Sequence, residues 1–270
     1  MTKAIRIGVQ LWPGGAPDYA TWRAAVLRAE EFGVDAIFGY DHFHRPAVRR
    51  GPNGTELDPV QPDVTNFEGW TALASWAEIT TRVEIGLLVT GMGYRNPDLL
   101  ADMARTVDHI SDGRVILGVG SGWYEKDYQV YGYDYGTLRS RMDLFADGVR
   151  RIEHRLANLT PKPLRPIPVL IGGSGERRTL PLVGQHAHIW HSSLDLETFR
   201  RRNDLVKQHA AAAGRDDSVI ERAITWTSAA EADEFRAEGV TLYTTEIKPT
   251  DTGYDFTKLT EMLEWRDLNR

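Results

Sequence analysis

The sequence contains no cysteine among its 270 residues. Disulfides, thiolate nucleophiles and zinc–sulfur sites are therefore excluded. The chain also lacks any apolar run near the ~18–20 residues that cross a bilayer. Its first residues, MTKAIRIGVQLW, lack the apolar core of a signal peptide. We therefore expect a cytoplasmic protein that has no membrane partner.

Basic charge is not in excess either, because 32 Lys and Arg residues face 38 Asp and Glu residues, for a net charge of −6. Binding to a phosphate backbone depends on clustered Lys and Arg, so nucleic acid is not an expected partner. Hydrophobic residues make up 41% of the chain, which is enough to bury a large core. We expect a small-molecule substrate, and homodimerisation is left open.

Short apolar runs alternate with amphipathic stretches along the chain. Strands are predicted over 5–11, 34–39, 83–89, 114–119, 167–171, 187–191, 219–226 and 239–243. Helices are predicted over 17–32, 68–81, 97–111, 138–155, 176–185, 195–213, 229–237 and 257–268, with Gly33 ending the first. Such alternation is typical of parallel strands joined by crossover helices. Eight units in 270 residues favour one α/β domain over 1–270, a (β/α)8 TIM barrel.

A doubly wound sheet is the alternative architecture. It would place a GxGxxG motif after the first strand, where this chain has Leu11-Trp12-Pro13-Gly14-Gly15-Ala16. Two long connections follow predicted strands, over 42–67 and 120–137. Connections of that length are functional lids or disordered segments, and the aromatic residues of the second favour order.

Chemistry in a barrel takes place where the strands end, and the second and third strand ends offer candidates. The second strand ends in Asp41-His42, whose imidazole either handles a proton or only binds a loop. The third ends in Leu87-Leu88-Val89-Thr90-Gly91. Its glycine surroundings indicate either a bulge beside a ligand or an ordinary buried strand.

The fourth and fifth strand ends are rich in glycine. Alternating glycines at 118, 120 and 122, followed by Trp123, either admit a flat ligand or allow tight packing. The turn Gly172-Gly173-Ser174-Gly175 leads into a predicted helix and presents free N–H groups, which predicts a phosphate site. Arg177 or Arg178 would add a charge-assisted contact.

A metal centre is the competing interpretation of the histidines. His42 and His44 have the HxH spacing of barrel metallohydrolases, but the fifth strand ends in glycines that supply no ligand. No metal is therefore expected. His186 and His188 lie at a strand start, the wrong end for chemistry, and we assign them to packing or to the surface.

Three further motifs carry a family resemblance. They are Thr90-Gly91-Met92-Gly93-Tyr94-Arg95-Asn96-Pro97, Asp108-His109-Ile110-Ser111-Asp112-Gly113-Arg114 and Leu117-Gly118-Val119-Gly120-Ser121-Gly122-Trp123. With Asp41-His42 and the 172–175 turn, they closely resemble the luciferase-like monooxygenase superfamily. The chain is most similar to the coenzyme F-420 branch, common in actinobacteria, and the resemblance covers residues 5 to about 215.

The resemblance implies a deazaflavin ring over the barrel mouth. Leu87, Leu88 and Val89 would form a bulge behind the ring, often with a non-prolyl cis peptide, and Thr90, Gly120, Gly122 and Trp123 would complete that part of the site. His42 would lie near the reacting carbon, and Asp41 would hydrogen-bond the ring edge. Backbone groups of Gly172, Gly173, Ser174 and Gly175 would bind the phosphate, assisted by Arg177.

The sequence departs from the family pattern in two places. Sugar-phosphate dehydrogenases of this branch carry Glu directly after the third glycine of the fourth strand, where this chain has Trp123. The nearest acid is Glu125, which we take as a candidate catalytic residue, and glucose 6-phosphate is not expected as substrate. The insertion that the family often has before the fifth strand is reduced to residues 157–166, which predicts a more open pocket.

The resemblance favours an oxidoreductase that transfers a hydride between coenzyme F-420 and an organic substrate. An FMN-dependent monooxygenase that uses oxygen is the first alternative. A non-catalytic flavin-binding protein and a metallohydrolase are the others. The sequence leaves the substrate and the direction of reaction open.

Overall fold

Eight apolar strands pair in parallel and in chain order. They are β1 Arg6–Leu11, β2 Ala36–Gly39, β3 Glu84–Leu87, β4 Val115–Gly120, β5 Val169–Gly172, β6 Ile189–Ser192, β7 Glu221–Thr225 and β8 Val240–Ile247. β8 pairs with β1 and closes the sheet, with Arg6 opposite Leu242. This computed structural model describes residues 4–51 and 54–270, with 49–51 and 54–56 as backbone only. The predicted (β/α)8 barrel is confirmed.

Helices follow the strands around the outside of the barrel. They are α1 Tyr19–Phe32, α2 Gly69–Ile79, α3 Pro97–Ile110, α4 Glu125–Tyr131, α5 Leu138–Asn158, α6 Thr179–His186, α7 Leu196–Ala212, α8 Ala229–Ala237 and α9 Thr257–Leu268. α4 lies in the second long connection and confirms the order expected there. The first long connection contains an antiparallel pair, Val48–Gly51 with Gly54–Leu57. A second short pair, Pro249–Thr250 with Gly253–Tyr254, follows β8.

Local sequence sets the ends of the helices. Asp18 caps α1 by accepting the N–H of Thr21, and Gly33 ends that helix at a φ of 86°, as predicted. Asn96 caps α3 with its side-chain oxygen, and Pro97 follows in the first turn, where its missing N–H has no consequence. The Asn-Pro part of the third strand-end motif is thus a helix start.

Several boundaries differ from the sequence prediction by a few residues, and two of these differences bear on the site. α6 begins at Thr179, three residues late, because Pro181 lacks an N–H and fits only the first turn of a helix. β8 continues to Ile247, whereas the prediction ended that strand at residue 243. Its last residues keep pairing with β1, and this extension brings Glu246 to the barrel mouth.

A small apolar cluster fills the interior of the barrel. Its members come from six of the strands and are Ala36, Phe38, Ile116, Leu170, Ile189, Ala223 and Leu242. Leu88 and Val89 pack against this cluster and are partly buried. A larger core lies between the strands and the helices. Because the interior is packed, ligands are restricted to the ends of the barrel.

Glycines on β4 and β5 make room for the chain that leaves β3. A Cβ atom at Gly118 would overlap the carbonyl oxygen of Leu87. The next peptide bond, Leu88–Val89, is cis, as the resemblance implies. The Val89 side chain lies over two further glycines, where a Cβ would come within 2.8 Å at Gly120 and 3.1 Å at Gly172. Part of the glycine pattern therefore serves packing.

We expect Gly118→Ala to destabilise the barrel strongly, because its methyl group would meet rigid backbone. The loss in the free energy of unfolding should exceed the ~1–3 kcal/mol typical of overpacking, or the protein should fail to accumulate. Gly8→Ala is the matched control, because its Cβ would lie 3.2 Å from side-chain atoms of Phe38 and Thr244, which can move. Urea denaturation measures both, and equal losses would contradict this account.

Candidate active site

A buried carboxylate joins the loops that follow β2, β3 and β4. Asp127 of α4 is 0% exposed. Its Oδ2 lies 2.9 Å from Nδ1 of His42 and accepts the hydroxyl of Tyr94 at 2.8 Å. Its Oδ1 lies 2.8 Å from Nδ1 of His44. Burial raises the pKa of Asp127, but the hydrogen bonds from both histidines and from Tyr94 outweigh it and hold that pKa below its ordinary value.

His42 is oriented by this carboxylate. An ionised carboxylate can only accept, so Nδ1 of His42 carries the proton of that hydrogen bond. The rings of Tyr40, Trp123 and Tyr124 surround the imidazole, with centroids 5.6, 5.2 and 5.3 Å away. Nε2 makes no hydrogen bond with the described part of the chain. It is therefore the nitrogen available to a ligand.

Asp41 does not pair with His42. It is 1% exposed, and its two carboxylate oxygens accept from the Arg95 guanidinium at 2.6 and 2.9 Å. Arg95 also binds Glu68, which caps α2. Burial raises the pKa of Asp41 to about 6, against the opposing charge of Arg95, so the pair is ionised at neutral pH. The hydrogen bond predicted from Asp41 to a ring edge does not fit this arrangement, because both oxygens are buried against Arg95.

Two adjoining cavities open at the C-terminal end of the barrel. The inner cavity, of about 350 Å³, is lined by Gln10, Leu88, Val89, Gly120, Ser121, Gly122, Trp123, Gly172, Gly173, His191, Ser193, Thr225, Thr244, Thr245 and Glu246. The outer cavity, of about 480 Å³, is lined by Gln10, Trp12, Tyr40, His42, Pro46, Val48, Leu57, Leu88, Trp123 and Glu246. The four residues common to both are Gln10, Leu88, Trp123 and Glu246.

The inner cavity has polar walls and a floor fixed by hydrogen bonds. Gln10 donates from its amide to the carbonyl oxygens of Leu88 and Gly39. Nε2 of His191 lies 2.8 Å from the Thr244 hydroxyl, and burial lowers the pKa of His191 to about 4, so this ring is neutral at pH 7. Thr245 also lines the cavity, and its hydroxyl is buried with no hydrogen-bond partner among the described residues. A ligand there can satisfy such a group.

A third, basic cavity of about 860 Å³ follows the glycine turn after β5. Its lining is Leu138, Arg139, Met142, Gly175, Glu176, Arg177, Arg178, Thr179 and Arg202. Gly173 donates its N–H to the carbonyl of His191, but the N–H groups of 174–178 donate to no atom of the described chain. Arg178 pairs with Asp143 and Arg202 with Glu176. Arg177 is exposed and forms no ion pair within the described residues, which leaves its charge for an anion.

The structure brings most of the predicted site residues to these cavities. Predicted residues at the inner cavity are Leu88, Val89, Gly120, Gly122, Trp123, Gly172 and Gly173. His42 lines the outer cavity, and Gly175 and Arg177 line the third. Ser174 belongs to the turn between the inner and third cavities but lines neither. Leu87 is buried behind the cleft, and the hydroxyl of Thr90 accepts the Trp70 indole N–H at 3.0 Å.

Glu125 lies outside the three cavities. It is exposed in the first turn of α4, where its carboxylate accepts from the Gln129 amide at 3.1 Å. The helix turns Asp127, two residues later, toward His42 instead, because positions two apart on a helix do not share a face. The position of Glu125 therefore does not support the catalytic role predicted for it.

Sequence reasoning missed several polar residues of the cleft. Gln10, Thr244 and Glu246 lie on the inward faces of β1 and β8, and His191 is the penultimate residue of β6. A period of two from Leu242 through Thr244 to Glu246 was the available signal, but the predicted strand stopped at 243. No such periodic signal marked Asp127, because its partners come from a loop 83 to 85 residues away.

Two features are absent from the backbone and side chains that the structure describes within residues 4–51 and 54–270. No helix in those ranges is long and apolar enough to cross a bilayer. No group of three or more His, Asp or Glu side chains in them is arranged to hold a metal ion. The Nδ1 atoms of His42 and His44 instead share the carboxylate of Asp127.

Residues 4–255 match the luciferase-like monooxygenase family, and the chain belongs to it. It is 29% identical over 244 residues to pyrimidine monooxygenase RutA of Allorhizobium ampelinum, covering 80% of this chain and 64% of that protein. It is 28% identical over 222 residues to an F-420-dependent glucose-6-phosphate dehydrogenase of Amycolatopsis mediterranei, covering 73% of this chain and 61% of that protein. The structure of an F-420-dependent secondary alcohol dehydrogenase with an F-420–acetone adduct has the same fold, with a TM-score of 0.82 and 16% identity. The match covers 99% of this chain and 100% of that one. The family thus includes monooxygenases and F-420-dependent oxidoreductases.

We expect Asp127→Asn to lower the free energy of unfolding by ~1–3 kcal/mol at pH 7, because two imidazoles lose a charged acceptor. The pKa of Asp127 is lowered in the folded protein, so its stabilisation is present above its unfolded pKa and is lost as pH falls through the folded one. The difference between wild type and variant should therefore narrow below pH ~4.

Urea denaturation from pH 3 to pH 8 measures this difference. Glu125→Gln is the control, because it removes an exposed carboxylate from the same helix and should change stability by less than ~0.5 kcal/mol. A wild type and an Asp127→Asn variant of equal stability at pH 7 would show that the carboxylate does not hold the three loops together.

Proposed function

We propose that the protein binds coenzyme F-420 at the barrel mouth and transfers a hydride between that coenzyme and an organic substrate. The observation that carries this proposal is the inner cavity, floored by the cis Leu88–Val89 peptide and adjoining a cavity lined by His42. Two relatives of the family that use F-420 support the choice of coenzyme. When bound, the coenzyme would supply the hydride chemistry, and the protein would bind, orient and desolvate the reactants.

The residues of the inner and third cavities suit such a coenzyme. The glycines at 120, 122, 172 and 173 leave a wall without side chains, which a flat ring can approach. The free N–H groups of 174–178 and the unpaired Arg177 suit a phosphate that follows the ring. A negatively charged tail would extend past Arg177, Arg178 and Arg202.

His42 is the group that we expect to move a proton. Reduction of a carbonyl forms a new C–H bond, and the electron pair of the C=O π bond takes up a proton on oxygen. Nε2 of His42 can supply that proton, because Asp127 holds Nδ1 and stabilises the imidazolium. In the reverse direction Nε2 accepts the hydroxyl proton of an alcohol.

An FMN-dependent monooxygenase is the second candidate. The similarity to a pyrimidine monooxygenase favours it. The identity to that protein is 29%, and the identity to the F-420-dependent dehydrogenase is 28%. FMN would use the same inner cavity and phosphate site. It lacks the acidic tail, so it would gain less from the basic third cavity.

We expect F-420 to bind more tightly than FMN, and the difference should shrink at high salt because exposed charges are screened. Arg177→Gln should weaken F-420 binding by up to ~5-fold, since an exposed pair contributes ~0–1 kcal/mol. Fluorescence titration of the protein with both cofactors at two salt concentrations measures this. Arg28→Gln, on the exposed face of α1, is the matched control.

Each outcome of this titration is informative. Equal or tighter binding of FMN would favour the oxygen-using monooxygenase. If F-420 binds more tightly than FMN but neither salt nor Arg177→Gln changes its affinity, the assignment of the coenzyme stands. The basic third cavity would then not be part of its binding site.

We expect His42→Ala to lower kcat ~10²–10⁴-fold on a substrate identified with reduced F-420 and a panel of ketones and aldehydes. Cofactor affinity should change little, because the side chain acts in the transition state. His154→Ala, an exposed histidine of α5, is the control and should keep wild-type turnover. Near wild-type kcat in His42→Ala would assign His42 a structural role only.

A further inference from the structure

One carboxylate at the cleft, that of Glu246, has no hydrogen-bond or ion-pair partner in the part of the chain that the structure describes. Glu246 lies on β8 opposite Gln10 of β1, two residues beyond Thr244 and four beyond Leu242 of the barrel interior. Inward-facing positions on a strand are two residues apart, so Glu246 also faces inward and lies at the mouth of the barrel. It lines both the inner and the outer cavity.

The other acids around the cleft have fixed partners. Asp41 and Glu68 bind Arg95, and Asp127 binds the histidines of the β2 loop. The carboxylate of Glu246, by contrast, forms no hydrogen bond or ion pair with any backbone or side-chain atom that the structure describes. The carboxylate of Glu246 is therefore available to accept a hydrogen bond from a ligand in the cleft, whereas the other three acids are already engaged.

The charges around Glu246 do not neutralise it by contact. Solvent reaches its side chain through the open cleft, yet the surrounding protein raises its pKa, and Lys248 and Lys258 only partly oppose this. The ammonium of Lys248 lies 4.4 Å from the ring centroid of Trp12. Among the residues whose side chains are described, the other titratable groups that line the two cavities with Glu246 are Tyr40, His42 and His191.

The rest of the outer cavity is aromatic and apolar. Trp12, Tyr40 and Trp123 provide ring surfaces, and Pro46, Val48, Leu57 and Leu88 complete the wall. Among the residues whose side chains the structure describes, no lysine or arginine lines this cavity. Ring faces attract cations, and a carboxylate accepts hydrogen bonds but repels anions. The chemistry of these walls therefore discriminates by charge.

We propose that the outer cavity binds a small, mainly apolar substrate whose hydrogen-bond donor, an ammonium or a hydroxyl group, contacts the carboxylate of Glu246, and that it excludes anionic substrates. This substrate class rests on the proposed function, which takes the cleft as the active site. Because Glu246 also borders the inner cavity, the substrate's polar group would be held beside the cofactor. A phosphorylated sugar would be rejected by the same carboxylate.

Three probes of similar shape test the proposal on the wild-type protein, without cofactor and with F-420. They are benzylammonium, benzyl alcohol and benzoate, titrated at pH 7.5 and followed by tryptophan fluorescence, since Trp12 and Trp123 line the cavity. We expect benzoate to bind at least ~10-fold more weakly than either donor probe. Glu246→Gln should weaken benzylammonium binding ~10-fold and bring the three affinities together. Glu261→Gln, an exposed acid of α9, should match wild type.

The pH dependence identifies the carboxylate. Benzylammonium affinity in the wild type should rise with pH as Glu246 ionises. This rise should be absent in Glu246→Gln, because that variant keeps the shape of the side chain but lacks the titrating carboxylate. Glu246→Asp keeps the charge and should keep the preference for donors.

Some results would overturn the proposal. In the wild type, benzoate could bind as tightly as benzylammonium, or neither donor probe could bind measurably. The Glu246→Gln protein could also keep the wild-type preference for the donor probes over benzoate. If that variant does not fold, the order of the three probe affinities in the wild type still tests the proposal. Titration of the same samples with F-420 separates the substrate proposal from the coenzyme proposal. If F-420 does not bind, the coenzyme proposal fails, while the order of the three probe affinities is unaffected.

Discussion

The buried carboxylate of Asp127 is the interaction on which the arrangement of the cleft depends. It binds His42 and His44 from the loop after β2 and Tyr94 from the segment after β3, while it belongs to the helix after β4. A buried charge without partners would be costly, so the three loops are held together by the need to satisfy it. The same contacts fix the tautomer of His42 and leave its Nε2 toward the outer cavity.

A second constraint sets the floor of the cleft. The chain leaving β3 crosses glycines on β4 and β5, and Gln10 of β1 holds the carbonyl of Leu88. Side chains at Gly118 or Gly120 would displace this segment. The glycines therefore have two consequences, since they seat the Leu88–Val89 peptide and they leave one wall of the inner cavity bare. Packing and ligand access are parts of the same arrangement.

The motifs that carry the family resemblance act largely on structure. Asn96 and Pro97 start α3, and Arg95 neutralises the buried Asp41. Arg114 donates to the carbonyl oxygens of Ala77, Thr80 and Val83 and so completes the end of α2. In this chain these motif residues therefore stabilise the barrel and its helix ends. Glu246, which faces the outer cavity, lies outside these motifs.

Sequence alone determined the barrel, because apolar periodicity and capping residues are local properties of the chain. It also located the strand ends from which His42, the Leu88–Val89 segment and the 172–175 turn approach the mouth. Only the tertiary structure decided the partners. Asp127 rather than Asp41 holds His42, Glu125 faces solvent, and an extended β8 brings Glu246 into the cleft. Pairing between loop residues 54 to 85 positions apart depends on barrel closure, which no local pattern encodes.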